Sequence, residues 1–79
     1  MTLAERLKLI RKREGLTQAA FCEAIGMSIS TYKKYELGLR KEVSVLGLLK
    51  VTNHPRFMKY TLWLMTGASG LASRQISPE

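Results

Sequence analysis

The chain has one cysteine and one histidine among its 79 residues. Cys22 has no second cysteine to pair with, and Cys22 with His54 falls short of the ligand set of a zinc site. All six acidic residues are glutamates (Glu5, Glu14, Glu23, Glu36, Glu42 and Glu79), scattered along the chain. They set up no carboxylate pair for acid–base work, and neither a phosphate-cradling glycine loop nor a nucleophile with a base is present. No catalysis, cofactor or metal is expected. No segment approaches the ~20 consecutive apolar residues that span a bilayer. The first fifteen residues alternate basic and apolar side chains without a small-residue cleavage site, so they do not read as a secretory signal. The expected location is cytoplasmic. What the chain has is positive charge: 13 Lys and Arg against 6 acidic residues, a net charge of +7. That field favours a polyanionic partner. The length makes one domain with a small core, which dimerisation would supplement.

The pattern is organised around residues 17–38, TQAAFCEAIGMSISTYKKYELG. Thr17 can cap a first short helix, its hydroxyl accepting a free N–H of the first turn. Gly26 falls where that helix needs a left-handed residue to stop. Ser28 can cap a second helix, and Gly38 ends it. Two helices joined by a short turn containing glycine describe a helix-turn-helix, whose second helix enters a DNA major groove. Ala19, Ala20, Cys22 and Ala24 are short enough for a steep helix crossing, and Cys22 there reads as a buried structural thiol. Phe21 and Ile25 make an inward stripe; Tyr32 and Tyr35 do so on the second helix. Ser30, Thr31, Lys33, Lys34 and Leu37 are left facing outward. An ordinary helical hairpin with a solvated lysine face would show the same alternation.

Either side of this stretch the chain also reads as helix. Thr2 and Glu5 fit a capping box, and Leu3, Leu7 and Ile10 mark one face of a first helix ending at Glu14-Gly15. Arg40 and Lys41 form a loop after the second helix of the pair, placed to meet a phosphate or simply to solubilise. Ser44 or a neighbour starts a fourth helix, apolar at Val45, Leu46, Leu48, Leu49 and Val51 and weakened by Gly47. Asn53-His54-Pro55 is a break, with Pro55 suited to the first turn of a fifth helix over 56–65. That helix is apolar on two faces, so Met58, Leu62, Trp63 and Met65 are candidates for a homodimer contact, with Trp63 as its anchor. The alternative is that Trp63 only closes the core. Residues 1–67 are expected to form the domain and 68–79 a flexible C-terminal tail.

Leu7, Ile10, Arg11, Gly15-Leu16-Thr17-Gln18, Phe21, Ile25-Gly26, Tyr32, Tyr35-Glu36, Gly38 and Trp63-Leu64-Met65-Thr66-Gly67 together resemble the lambdoid-phage repressor and Cro family, the XRE-type helix-turn-helix proteins. The resemblance covers about residues 3–67. It implies an all-α, compact five-helix bundle that binds operator DNA in a sequence-specific way, usually as a two-fold dimer. It also implies roles by position. Ser28, Ile29, Ser30 and Lys34 match base-contacting positions, with Lys33 a neighbouring candidate. Gln18 matches a residue that bonds a DNA phosphate and braces the recognition helix. Arg40 and Lys41 match a phosphate-contacting loop, and Arg11 and Glu36 a structural salt bridge. Ile29 and Ser30 stand where several members carry glutamines, and Leu37 replaces a polar residue. The implied function is a transcriptional regulator of phage or bacterial type, a repressor on a near-palindromic operator. With no further domain in view, it is more similar to Cro than to a cleavable repressor. The alternative from another class is an antitoxin that covers a protein toxin and autoregulates its own promoter.

Overall fold

The computed structural model describes residues 1–40, 42–68 and 76–78. Five α-helices run in order: α1 Leu3–Arg13, α2 Gln18–Ile25, α3 Ile29–Glu36, α4 Val45–Thr52 and α5 Thr61–Thr66, the last entered through a 3₁₀ turn at Met58–Tyr60. The fold is all-α, with no strand among the described residues. The local reasons are on the page of the sequence. Thr2 accepts the Glu5 N–H at 3.1 Å and Thr17 accepts the Ala20 N–H at 3.1 Å, each satisfying one of the donors a helix start leaves free. Gly26 closes α2 at φ 71°, in the left-handed region where a Cβ is penalised.

One face of every helix meets in the core. Leu7 and Ile10 of α1, Phe21 of α2, Tyr32 of α3 and Val51 of α4 are fully buried with Phe57, Tyr60 and Leu64. Phe21 sits at the centre, with ring centroids 5.3 Å from Tyr32 and 5.0 Å from Phe57 in tilted pairs, the geometry aromatic quadrupoles prefer. Arg6 closes the far end: its guanidinium donates to the Leu64 carbonyl at 3.0 Å, one of those α5 cannot satisfy internally. Glu14 latches α1 to the 3₁₀ turn. It accepts Arg56 Nε at 2.7 Å and the Tyr60 hydroxyl at 2.6 Å, with Lys59 Nζ at 3.3 Å. Burial would raise the Glu14 pKa, but the bonds from Tyr60, Arg56 and Lys59 outweigh it and hold it at about 2.

Several expectations need correction. The fifth helix does not run over 56–65: Pro55 and Arg56 lie in a turn, and only six residues are α-helical. Of the small residues on α2, Cys22 is buried and Ala20 half-buried, while Ala19 and Ala24 are exposed. At 100° per residue the inward stripe of α2 is Phe21, Cys22 and Ile25, and positions 19 and 24 fall outside it. Gly47 does more than weaken α4. It is buried, and a Cβ there would lie 3.3 Å from the Met27 side chain, so glycine lets α4 approach the α2–α3 turn. In the segment expected to be a flexible tail, Ile76 donates its N–H to the Lys59 carbonyl at 2.8 Å and Pro78 is buried, so these residues lie on the domain.

Candidate nucleic-acid interface

The helix pair α2–α3 is held from behind by a single carboxylate. Glu36, at the end of α3, accepts Arg11 Nε from α1 at 2.8 Å and Arg11 Nη2 at 3.3 Å. It accepts Gln18 Nε2 from α2 and the Tyr32 hydroxyl at 2.7 Å from one turn earlier in α3. Arg11 Nη1 also donates to the Leu16 carbonyl at 2.8 Å, fixing the α1–α2 connection. The pair is largely out of solvent, with 12% of the Arg11 and 5% of the Glu36 side chain exposed. Burial would raise the Glu36 pKa; the bonds from Arg11, Gln18 and Tyr32 prevail and keep it below the usual carboxylate range. Burial, then Glu36, pushes the Tyr32 phenol well up, so it stays a donor. The geometry follows from periodicity. Gln18 falls on the inward side of α2 with Phe21 and Cys22, and Glu36 on the inward side of α3 with Tyr32.

The opposite side of α3 is therefore free. Ser30, Lys34 and Leu37 follow one line at i, i+4 and i+7, flanked by Lys33, and all four are exposed. None of the ion pairs among the described residues uses Lys33, Lys34 or Arg40. Ser28 occupies the cap position of α3 but makes no capping bond; its hydroxyl pairs with that of Ser30 at 2.8 Å. Ile29, beside them, is 39% exposed. After Gly38 the chain folds back: the N–H groups of Leu39 and Arg40 both donate to the Lys34 carbonyl, at 3.0 and 3.2 Å. Arg40 is thereby fixed next to the last turn of α3. Lys41 lies outside the described residues.

A model of the helix-turn-helix domain matches residues 2–49. Over 77 residues the chain is 32% identical to Repressor protein C of Escherichia phage P2, a match spanning 98% of this chain and 77% of that protein. The chain belongs to the phage repressor-type helix-turn-helix family. A member of this family is a DNA-binding transcriptional regulator, and its partner is double-stranded DNA. Within this helix-turn-helix protein, Ser28, Ile29, Ser30, Lys33 and Lys34 lie together on one exposed surface, and Arg11, Glu36 and Gln18 meet on the other side of α3. Of the fifth-helix set, Met58, Leu62 and Met65 follow one line at i, i+4 and i+7, and Trp63 departs from it. Trp63 is only 4% exposed and packs in the core, Leu62 is half-buried, and Met58 and Met65 are half-exposed. Trp63 thus closes the core and offers almost no area to a partner. The role of Tyr32 in the Glu36 cluster was open to sequence reading through its i, i+4 spacing. Lys50 had no such signal: its ammonium donates to the Gly26 carbonyl at 3.0 Å and ties α4 to the α2–α3 turn. No helix among the described residues is long and apolar enough to cross a membrane.

Proposed function

We propose that this chain is a repressor that binds a near-palindromic operator as a homodimer. The observation that carries the reading is the division of α3 into two faces: one committed to Glu36 and the core, the other exposed and cationic with no task in the fold. Each copy lays α3 in a major groove, with the two recognition helices about 34 Å apart, one turn of DNA. Lys34 donates to guanine O6 or N7, and Ile29 meets a thymine methyl. Ser28 and Ser30 share one hydrogen bond and present the remaining hydroxyl capacity to base edges, with Lys33 beside them. Arg40 and Lys41 meet phosphates. The Gln18 amide carries two N–H groups; one goes to Glu36, and the second is the phosphate donor. Repression follows when the occupied operator overlaps a promoter. The similarity to Repressor protein C of phage P2 supports repression over activation.

Two variants and a selection of bound duplexes from a random pool test this. The wild type should enrich an inverted repeat with half-sites one helical turn apart. Lys34→Ala should relax preference at one base position per half-site, at a cost of ~1–3 kcal/mol on the preferred sequence. Arg40→Ala should weaken every duplex alike and reduce the salt slope by about 1. An unchanged preference in Lys34→Ala would show that Lys34 reads no base.

A further inference from the structure

We propose that a second copy of this chain docks on the outward face of α4, which becomes the centre of the homodimer. The inference rests on the homodimer reading above and names its surface. Val45, Leu46 and Leu49 point away from the core, 70%, 73% and 44% exposed, while Gly47, Leu48 and Val51 on the same helix turn inward. Positions i, i+1 and i+4 share one side of a helix, so the three make a continuous aliphatic ridge. Lone exposed leucines are ordinary, but a contiguous apolar patch marks an interaction surface. The 3₁₀ turn, which carries Met58, packs against α4. Beside the ridge is a shallow groove whose lining includes Ala24, Leu46, Leu49, Pro55, His54 and Lys50. A two-fold contact needs one patch that fits itself, and a ridge next to a groove on one face meets that need.

Charge decides the occupant. The chain carries +7, so two copies repel wherever their basic faces meet. From Val45 to Leu49 α4 has no charged residue, and the one cation on the helix, Lys50, is held on the Gly26 carbonyl. Nucleic acid or an acidic protein gains by meeting lysines and arginines and finds none on this ridge. A like-charged copy finds here a face where apolar burial is opposed at short range by Lys50 alone, whose ammonium is bonded to the Gly26 carbonyl. A stable dimer buries ~800 Å² per partner, about one sixth of the 5002 Å² this chain exposes. The ridge supplies the apolar centre of such an area, and the groove part of its surround.

The test is sedimentation equilibrium of the full chain, with and without a duplex holding two half-sites, for wild type, Leu46→Ser/Leu49→Ser and Met65→Ser. Serine leaves net charge unchanged, and neither leucine is in the buried core, so far-UV circular dichroism and binding to a single half-site should be retained. The double variant should raise the dimer dissociation constant at least ~30-fold, the loss typical of central interface residues, and Met65→Ser less than ~3-fold. A wild type that stays monomeric on both duplex and buffer overturns the homodimer reading itself. A wild-type dimer that the double variant leaves intact overturns only the α4 assignment. Loss of the dimer in Met65→Ser alone moves the interface to α5.

Discussion

Glu36→Gln keeps the shape of the side chain and removes its charge at the point where α1, α2 and α3 converge. The carboxylate accepts from Arg11, Gln18 and Tyr32 together. An amide has one acceptor oxygen and turns an NH₂ toward the remaining donors. Arg11 then sits 12% exposed without a counter-charge. Breaking one side of a buried pair costs ~3–5 kcal/mol; because Arg11 keeps the Leu16 carbonyl, we expect the lower end, ~3 kcal/mol. In a domain of this size each kcal/mol shifts Tm by ~4–8 °C, so Tm should fall by ~12–24 °C. Urea unfolding at pH 7, followed by circular dichroism, measures the loss. Arg11→Met should cost ~2–3 kcal/mol, and the double variant less than the sum by ~1–2 kcal/mol, the coupling expected of contacting residues. The pH dependence has a definite sign. The folded Glu36 pKa is lowered, so its stabilisation is complete above the ordinary carboxylate pKa and is lost as pH falls through the folded value. The variant should therefore show the flatter acid limb. A cost below ~1 kcal/mol for Glu36→Gln, or no coupling with Arg11→Met, would refute the idea that this cluster holds the recognition helix.

Glu14→Gln tests the second carboxylate. A shift from 4.5 to about 2 corresponds to at most ~3 kcal/mol. Arg56 and Lys59 are nearly half exposed, so screening reduces the expectation to ~1–2 kcal/mol at pH 7. The gap to wild type should close as pH falls from about 4.5 toward 2; a gap that persists at pH 2 in urea melts contradicts the latch. Gly26→Ala should cost ~1–2 kcal/mol by thermal melting, purely from left-handed backbone, since a Cβ there meets nothing within 4 Å. A loss below ~0.3 kcal/mol would mean the turn relaxes freely. Trp63, the sole tryptophan, should emit at short wavelength in the folded protein and shift to the red only on unfolding; a red-shifted native spectrum would contradict its burial.

Local signals carried most of the element order. Thr2, Thr17 and Gly26 act over three or four residues, so their roles are visible in a short window. The cationic side of α3 was visible as well, because Tyr32 and Tyr35 fix which side faces in. The side of α4 was not. Its residues are apolar almost all round, and hydrophobicity without a polar face gives no phase, so nothing in the sequence separates Val45, Leu46 and Leu49 from the inward Leu48 and Val51. Trp63 illustrates the converse. Aromatic composition suggested an anchor for a partner, but α5 is a short element packed on α1, and Trp63 is buried in the core. The Glu14 latch joins residues 42 and 46 positions apart, and no spacing rule reaches that far.

The two-sided construction of α3 has a consequence for how this regulator changes over generations. Ser30, Lys33, Lys34 and Leu37 carry no core packing, while Tyr32, Tyr35 and Glu36 carry nearly all of what holds the helix. Surface substitutions away from core contacts typically alter stability by less than ~0.5 kcal/mol. New codons at those four positions therefore meet little folding selection. On the operator-reading role proposed above for this face, a lineage can drift from one operator to another while its scaffold stays still.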